Sequence, residues 1–289
     1  MNTLKHESVN IHDDIGVKLY LSIDNGSFTV KHWHYSLEVI LILNGSFNLF
    51  IDNERLNLKE NDLIILNPKQ IHSAICSDGN ESIVLQIPYK FLEENIPNIN
   101  ELRINYKELL TDTDNTNVNK LKNTLNELYK IYSKEPQLYI LNSKILLYEF
   151  LYILYVNYSI SIDSISYKNT DKYFDRLKII TDYVKENYKE QISLSTASKV
   201  VNLTPQYLSR FFKTHMGITF TSYVNNIRLE NMYSDLINTD NNILDIIQNN
   251  GFYNYKQFMK LFKKIYNCTP SQKRQQINKT RKDVVSKYR

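Results

Sequence analysis

The chain has 289 residues, enough for two domains and too many for one ordinary core. Hydrophobic residues make up 42%, which excludes a disordered chain; two cysteines, Cys76 and Cys268, exclude a disulfide framework and fit a reducing cytoplasm. The net charge of +4 hides an asymmetry: residues 172–289 hold 20 Lys and Arg against 9 Asp and Glu, and residues 1–171 hold 15 against 22. A basic part beside an acidic remainder points to two domains, one of which meets a polyanion.

No long apolar run opens the chain, so no signal peptide is expected. Residues 1–100 read as short strands: VKLYLSI (17–23), VILILNGSFNLFID (39–52), ERLNL (54–58), DLIILN (62–67) and SIVLQI (82–87). Asn44-Gly45 and Asp52-Asn53 are hairpin candidates. Short strands parted by tight turns predict a sandwich or small barrel. Within them, GSFTVKHWHYSLEVILILNG (26–45) places Gly26, His32-Trp33-His34, Glu38 and Gly45 at the spacing of the first cupin motif. NDLIILNPKQIH (61–72) resembles the second motif, with His72 as a fourth potential ligand. Alternation along a strand puts His32 and His34 on one face, so His32, His34, Glu38 and His72 are expected to converge. In cupin enzymes such residues hold a metal, and imidazole with carboxylate suits iron, manganese or zinc. We expect instead an effector pocket lined by His32, Trp33, His34, Glu38 and His72, with no cofactor and no stoichiometric metal.

From about residue 105 the period turns helical. Val118, Leu121, Leu125, Leu128 and Ile131 follow a three/four rhythm, and a second helix runs through 137–158. That stretch is apolar, but Asn142, Lys144, Glu149 and Asn157 interrupt it, so a core helix is expected rather than a membrane span. Residues 101–160 are read as a helical dimerisation or interdomain region, and 161–171, rich in Ser, Asp and Asn, as a linker.

The basic part, 172–289, states one phrase twice: LSRFFKTHMGITF from Leu208 and FMKLFKKIYNCTP from Phe258. In the first copy Thr204 suits an N-cap, Pro205 the first helical position and Gly217 the residue past the end, predicting a helix over 205–216. Leu208, Phe211, Phe212 and His215 fall on its inner face; Gln206, Ser209, Arg210 and Lys213 fall on its outer face. In the second copy Asn254 is the N-cap and Asn267 replaces Gly217, Asn being the next residue able to turn left-handed. Phe258, Leu261, Phe262 and Ile265 face inward, and Lys256, Met259, Lys260 and Lys263 outward. Short helices over 193–201 and 242–252 precede the two, giving two helix-turn-helix units joined by a long helix over 219–237. Two such outer faces suit successive major-groove turns of one duplex, about 34 Å apart.

YLSRFFKTHMGITFTSYVNNIRL (207–229) and ILDIIQNNGFYNYKQFMKLFKKIYNCTPSQKR (243–274) closely resemble the AraC/XylS transcription regulators, in which a cupin-like barrel is the commonest sensor domain. The resemblance implies an α+β protein: a cupin-like β-barrel over 1–100, helices over 101–160, and an all-α DNA-binding domain over 172–289. It implies base-reading positions at Gln206, Ser209 and Arg210 in the first helix and at Tyr255, Lys256, Met259 and Lys260 in the second. Lys213 and Lys263 are expected on phosphates. Its implied partners are double-stranded DNA, a small-molecule effector, RNA polymerase and a second copy of the chain, with no membrane and no catalytic activity. Three departures stand out: Ile247 where a small Ala is usual, Lys273-Arg274 where Tyr-Arg is usual, and Lys260 where Arg is usual. Two alternatives stay open, a barrel that only dimerises and a metal-dependent cupin enzyme tethered to DNA.

Overall fold

The computed structural model describes residues 14–24, 26–51, 54–76, 79–111, 116–162, 164–276 and 278. The strands are β1 (Lys18–Asp24), β2 (Phe28–His32), β3 (Ser36–Ile51), β4 (Glu54–Lys59), β5 (Leu63–Leu66), β6 (His72–Ile75), β7 (Asn80–Pro88), β8 (Leu102–Ile104) and β9 (Ser159–Ser161). The helices are α1 (Tyr89–Asn95), α2 (Tyr106–Thr111), α3 (Thr116–Lys134), α4 (Tyr139–Tyr158), α5 (Ser164–Asn187), α6 (Leu194–Val200), α7 (Pro205–Met216), α8 (Phe220–Asn238), α9 (Ile243–Asn249) and α10 (Tyr255–Tyr266).

The first seven strands form one antiparallel sheet curled around β3, which pairs with β5 and β7 along its first half and with β4 and β6 along its second. The change of partner falls where the register against β7 shifts, between Ile42 and Asn44. Asn44-Gly45 is therefore no hairpin turn, and that expectation is corrected. Gly45 has φ of 79° inside the continuous strand, and a Cβ there would overlap the carbonyl oxygen of Gly79. The pair bends one strand between two halves of a barrel, as bulges do. The expected Asp52-Asn53 turn lies outside the described residues, although Ile51 and Glu54 on either side of it pair.

Alternation gives the curled sheet two apolar faces. Leu37, Val39 and Leu41 of β3 join Ile65, Leu85 and Ile87 in packing against α3 and α4. Ile42, Leu49 and Ile51 join Ile64, Leu66 and Cys76 in a second, separate cluster. α4 is long and apolar enough by composition to cross a membrane, but Leu147, Phe150, Leu151 and Leu154 are buried in the first of these cores. The segment 161–171, read as a linker, carries the first turns of α5: no Pro or Gly occurs between Ser164 and Asn187 to stop them.

The remaining helices form a separate core around Leu208, Phe212, Tyr223, Ile227, Phe258 and Phe262. Phe28 and Val30 of β2 belong to this same cluster, and β2 packs against α8. One strand is thus shared between the sheet and the helical domain.

Candidate functional site

The two repeated helices begin and end alike. At α7 the Thr204 side chain accepts from the Tyr207 amide at 3.3 Å; at α10 the Asn254 side chain accepts from the Gln257 amide at 3.0 Å. Gly217 and Asn267 close them with φ of 66° and 55°, and their amides donate to the carbonyls of Lys213 and Lys263. The turns before them also match. Leu203 N–H donates to Ser198 and Phe252 N–H to Ile247, while Asn202 and Gly251 take positive φ. Asn202 is thus the counterpart of Gly251, a correspondence the sequences alone hide because the letters differ.

Leu208, Phe211, Phe212, Phe258 and Phe262 are buried, and His215, Leu261 and Ile265 are half-buried. Gln206, Ser209, Arg210 and Lys213 are exposed, as are Tyr255, Lys256, Lys260 and Lys263. Met259 differs from them: it is half-buried and packs against the helical core. Tyr207, exposed beside Arg210, belongs to the same surface; sequence reasoning passed over it because an aromatic reads as core. Among the described residues none of Arg210, Lys213, Lys256, Lys260 or Lys263 is held in an ion pair.

Two of the three departures have packing reasons; the third, Lys260, is exposed. Ile247 is fully enclosed in the core. Lys273 is buried, with its ammonium over the rings of Tyr233 and Tyr266 at 6.0 and 5.8 Å. Those rings stack on each other at 4.8 Å, so a cation on their faces replaces the expected third aromatic. Arg274 donates to the carbonyls of Leu236 and Asn241, closing the end of α8.

The second site lies in the curled sheet. β2 and β6 pair so that His32 stands opposite His72, with ring centroids 4.1 Å apart. His34 follows β2, its ring 5.1 Å from that of His72. Glu38, one turn of sheet away on β3, stands opposite Gln86, whose amide donates to Oε1 at 3.0 Å. The Glu38 Oε2 lies 3.1 Å from His34 Nε2 and 3.5 Å from His72 Nε2. The structure therefore brings His32, His34, Glu38 and His72 together. Trp33 does not join them; its ring lies 5.5 Å from that of Phe174 on α5, between the two domains.

Each imidazole is oriented by a backbone carbonyl. Nδ1 of His32 donates to Val30 at 2.8 Å, Nδ1 of His34 to Ser36 at 2.9 Å, and Nδ1 of His72 to Gln70 at 2.9 Å. A carbonyl oxygen only accepts, so each of the three imidazoles carries a proton on Nδ1, and His34 also donates from Nε2 to the Glu38 carboxylate. Burial, then the facing His34, lowers His32 to about 4. Burial, then His32 and His34, holds His72 well below its ordinary range. Both are neutral at pH 7. Burial pushes Glu38 up, but the charge and hydrogen bond of His34, then His72 and Gln86, outweigh it and hold the carboxyl well below its usual range.

Comparison with known proteins gives two family matches, an AraC-like ligand binding domain over residues 16–151 and a helix-turn-helix domain over residues 197–276. An uncharacterized HTH-type transcriptional regulator of Staphylococcus aureus (strain COL) is 26% identical over 241 residues, covering 83% of this chain and 31% of that one. The regulatory protein PocR of Salmonella typhimurium is 33% identical over 103 residues, 36% of this chain and 34% of that one. The chain thus spans about a third of the length of these curated relatives. Among solved structures, ToxT from Vibrio cholerae is 15% identical with a TM-score of 0.48, covering 90% of this chain and 98% of that one.

Proposed function

The chain belongs to the AraC-type transcription regulators, and on that premise we propose that α7 and α10 read duplex DNA while the curled sheet senses a ligand. The observation that carries the DNA reading is the pair of similarly capped helices whose exposed faces hold cations that form no ion pair among the described residues. Phosphate attraction supplies most of the affinity of such a surface, and side chains on it select the sequence. We assign base contacts to Gln206, Ser209 and Arg210 and to Tyr255, Lys256 and Lys260. Met259, half-buried, offers an apolar contact at most. Acting on promoters implies the cytoplasm and RNA polymerase as the setting.

Arg210→Ala is expected to cost about 1–3 kcal/mol on the specific site and to relax preference at one base pair. Lys213→Ala and Lys263→Ala should weaken all duplexes alike and flatten the salt slope by about one each. Fluorescence anisotropy on a selected and a scrambled duplex across a salt series separates the two. Equal losses on both duplexes for Arg210→Ala would remove its base-reading role.

A second copy of the chain fits α4. Leu141, Ile145, Tyr148, Tyr152 and Val156 form a stripe on the solvent side of this helix, each 46% to 70% exposed. Steps of three and four residues along a helix make a self-complementary seam. α3 turns its apolar face inward instead, with Leu121, Leu125 and Leu128 fully buried. Tyr152→Glu should convert a dimer to a monomer in sedimentation without lowering the melting temperature. An unchanged mass would move the interface elsewhere.

A further inference from the structure

We propose that Tyr173 on α5 is a positioning residue for the first recognition helix, and that residues 33–35, which connect β2 to β3, clamp α5 in the orientation that lets Tyr173 act. The clamp then governs base selection by α7 and not by α10. The proposal rests on reading α7 and α10 as the DNA-reading helices.

Three consecutive residues of α5 meet three different neighbours. The Tyr173 ring stacks on that of His215 in α7, with centroids 4.8 Å apart and planes at 27°. Phe174 is buried, and its ring lies 5.5 Å from that of Trp33. Asp175 is exposed and accepts from the Tyr35 hydroxyl at 3.4 Å. Successive helical residues point about 100° apart, so a single turn of α5 touches the sheet on one side and a recognition helix on the other.

Both jaws of the clamp are fixed. The His34 carbonyl accepts from the Lys69 amide at 2.8 Å, and the Tyr35 carbonyl from the Tyr89 amide at 3.0 Å. Those bonds tie the connection to the turn before β6 and to the start of α1. On α5, Leu177 and Ile180 follow Phe174 by one and two turns and are fully buried in the helical core. Neither Pro nor Gly occurs in α5 to let it kink. Trp33 packs against that same core, as do Ile71 and Ile75. Displacing Trp33 therefore moves α5 as a body, and Tyr173 with it.

Tyr173 meets α7 at the edge of its reading face. Tyr207, Phe211 and His215 recur every four residues and form one ridge, with centroids 6.2 Å apart between the first two and 4.7 Å between the last two. Gln206, Arg210 and Lys213 lie beside that ridge on the exposed side. A ring that holds His215 thus sets how far α7 is rolled about its axis, and with it where Arg210 points. Among the described residues the rings that contact α10 from other segments are Phe252, after α9, and Tyr233 on α8; none lies on α5.

The test uses the full chain and a duplex it has selected from a random pool, with each base pair of that duplex varied in turn. Trp33→Ala should weaken binding to the selected duplex at least about fivefold. It should flatten preference at the base pairs that Arg210→Ala also flattens, and leave those that Lys256→Ala flattens unchanged. Trp33→Phe keeps an aromatic ring against Phe174 and should restore the preference. Tyr173→Ala should copy Trp33→Ala, and the double variant should lose no more than either single one, because both cut the same line of contact. Additive losses, or equal flattening at the base pairs of both helices, would overturn the positioning role. If Trp33→Ala fails to fold by circular dichroism, Tyr173→Ala decides alone, since Tyr173 is 38% exposed: an unchanged preference at the α7 base pairs overturns the proposal. A selected duplex that wild type reads and both variants read equally well sinks the clamp and leaves the recognition helices intact. If Arg210→Ala and Lys256→Ala flatten no base pair, the reading of α7 and α10 as recognition helices fails, and the clamp with it.

Discussion

Replacing Gly251 by Ala should destabilise the DNA-binding domain by about 3 kcal/mol or more. Gly251 follows α9 with φ of 79°, in the left-handed region. A Cβ there would sit 2.7 Å from the Tyr188 carbonyl oxygen, 2.9 Å from that of Lys189 and 3.0 Å from Arg228 Nε. Those atoms have little room to retreat, because Arg228 donates to the carbonyls of Tyr188 and Glu190 at 2.7 Å each. The left-handed conformation costs a non-glycine residue about 1 kcal/mol or more. Displacing the loop adds the loss of a charge-assisted hydrogen bond, about 1.5–3 kcal/mol. The turn thus fastens the second helix-turn-helix unit to the end of α5 and, through Arg228, to α8. Urea unfolding of the wild type and Gly251→Ala measures the difference. Asn202→Gly, at the matching turn of the first unit, should be close to neutral because Asn already takes positive φ there. A loss below about 1 kcal/mol for Gly251→Ala would mean the loop yields, and the fastening argument would fail.

The helical half was legible because its signals are local. Caps, the first-position proline and a three/four apolar rhythm all lie within one helix, and α7 spans the expected 205–216. The curled sheet was legible only in part. β2 and β6 are short, and neither stands out as a strand, yet their pairing is what sets His32 against His72 across 40 positions of sequence. The cupin spacing named the four residues, but not the carbonyls that fix their tautomers, since Val30, Ser36 and Gln70 contribute backbone and carry no side-chain signal. Asn44-Gly45 misled for a physical reason: the same left-handed freedom serves a hairpin and a bend within one strand. Trp33 misled because a lone aromatic beside two histidines reads as a ligand platform, whereas the ring faces α5. Contact between the domains left no trace in the sequence. Phe28 and Val30 look like ordinary strand residues, and Glu230 like a solvated helix residue.

Glu230 gives the second large effect. It lies on α8, half-buried by neighbouring side chains, and its carboxylate accepts from the Val30 amide of β2. Burial raises it from its ordinary 4.5 to about 7; the Val30 hydrogen bond and the Lys185 ammonium on α5 oppose that rise without cancelling it. The other groups near it are Tyr223 on its own helix and Tyr266 on α10, with Asp182 one turn before Lys185 on α5. In the unfolded chain the carboxyl ionises near 4.5, so between there and about 7 the folded state holds a proton that the unfolded state has released. Stability therefore falls as pH rises through this window, and below it the group costs nothing. The full difference reaches about 3 kcal/mol above pH 7.5. Glu230→Gln copies the protonated form and still accepts from Val30, so it should remove the dependence. Melting temperatures of wild type and variant should coincide near pH 4.5 and diverge steadily toward pH 8, with the variant higher. Taking the difference between the two proteins cancels the histidines that titrate in the same range. Parallel curves from pH 4.5 to 8 would show that Glu230 ionises freely, and that Lys185 and Val30 hold its charge at no cost between the domains.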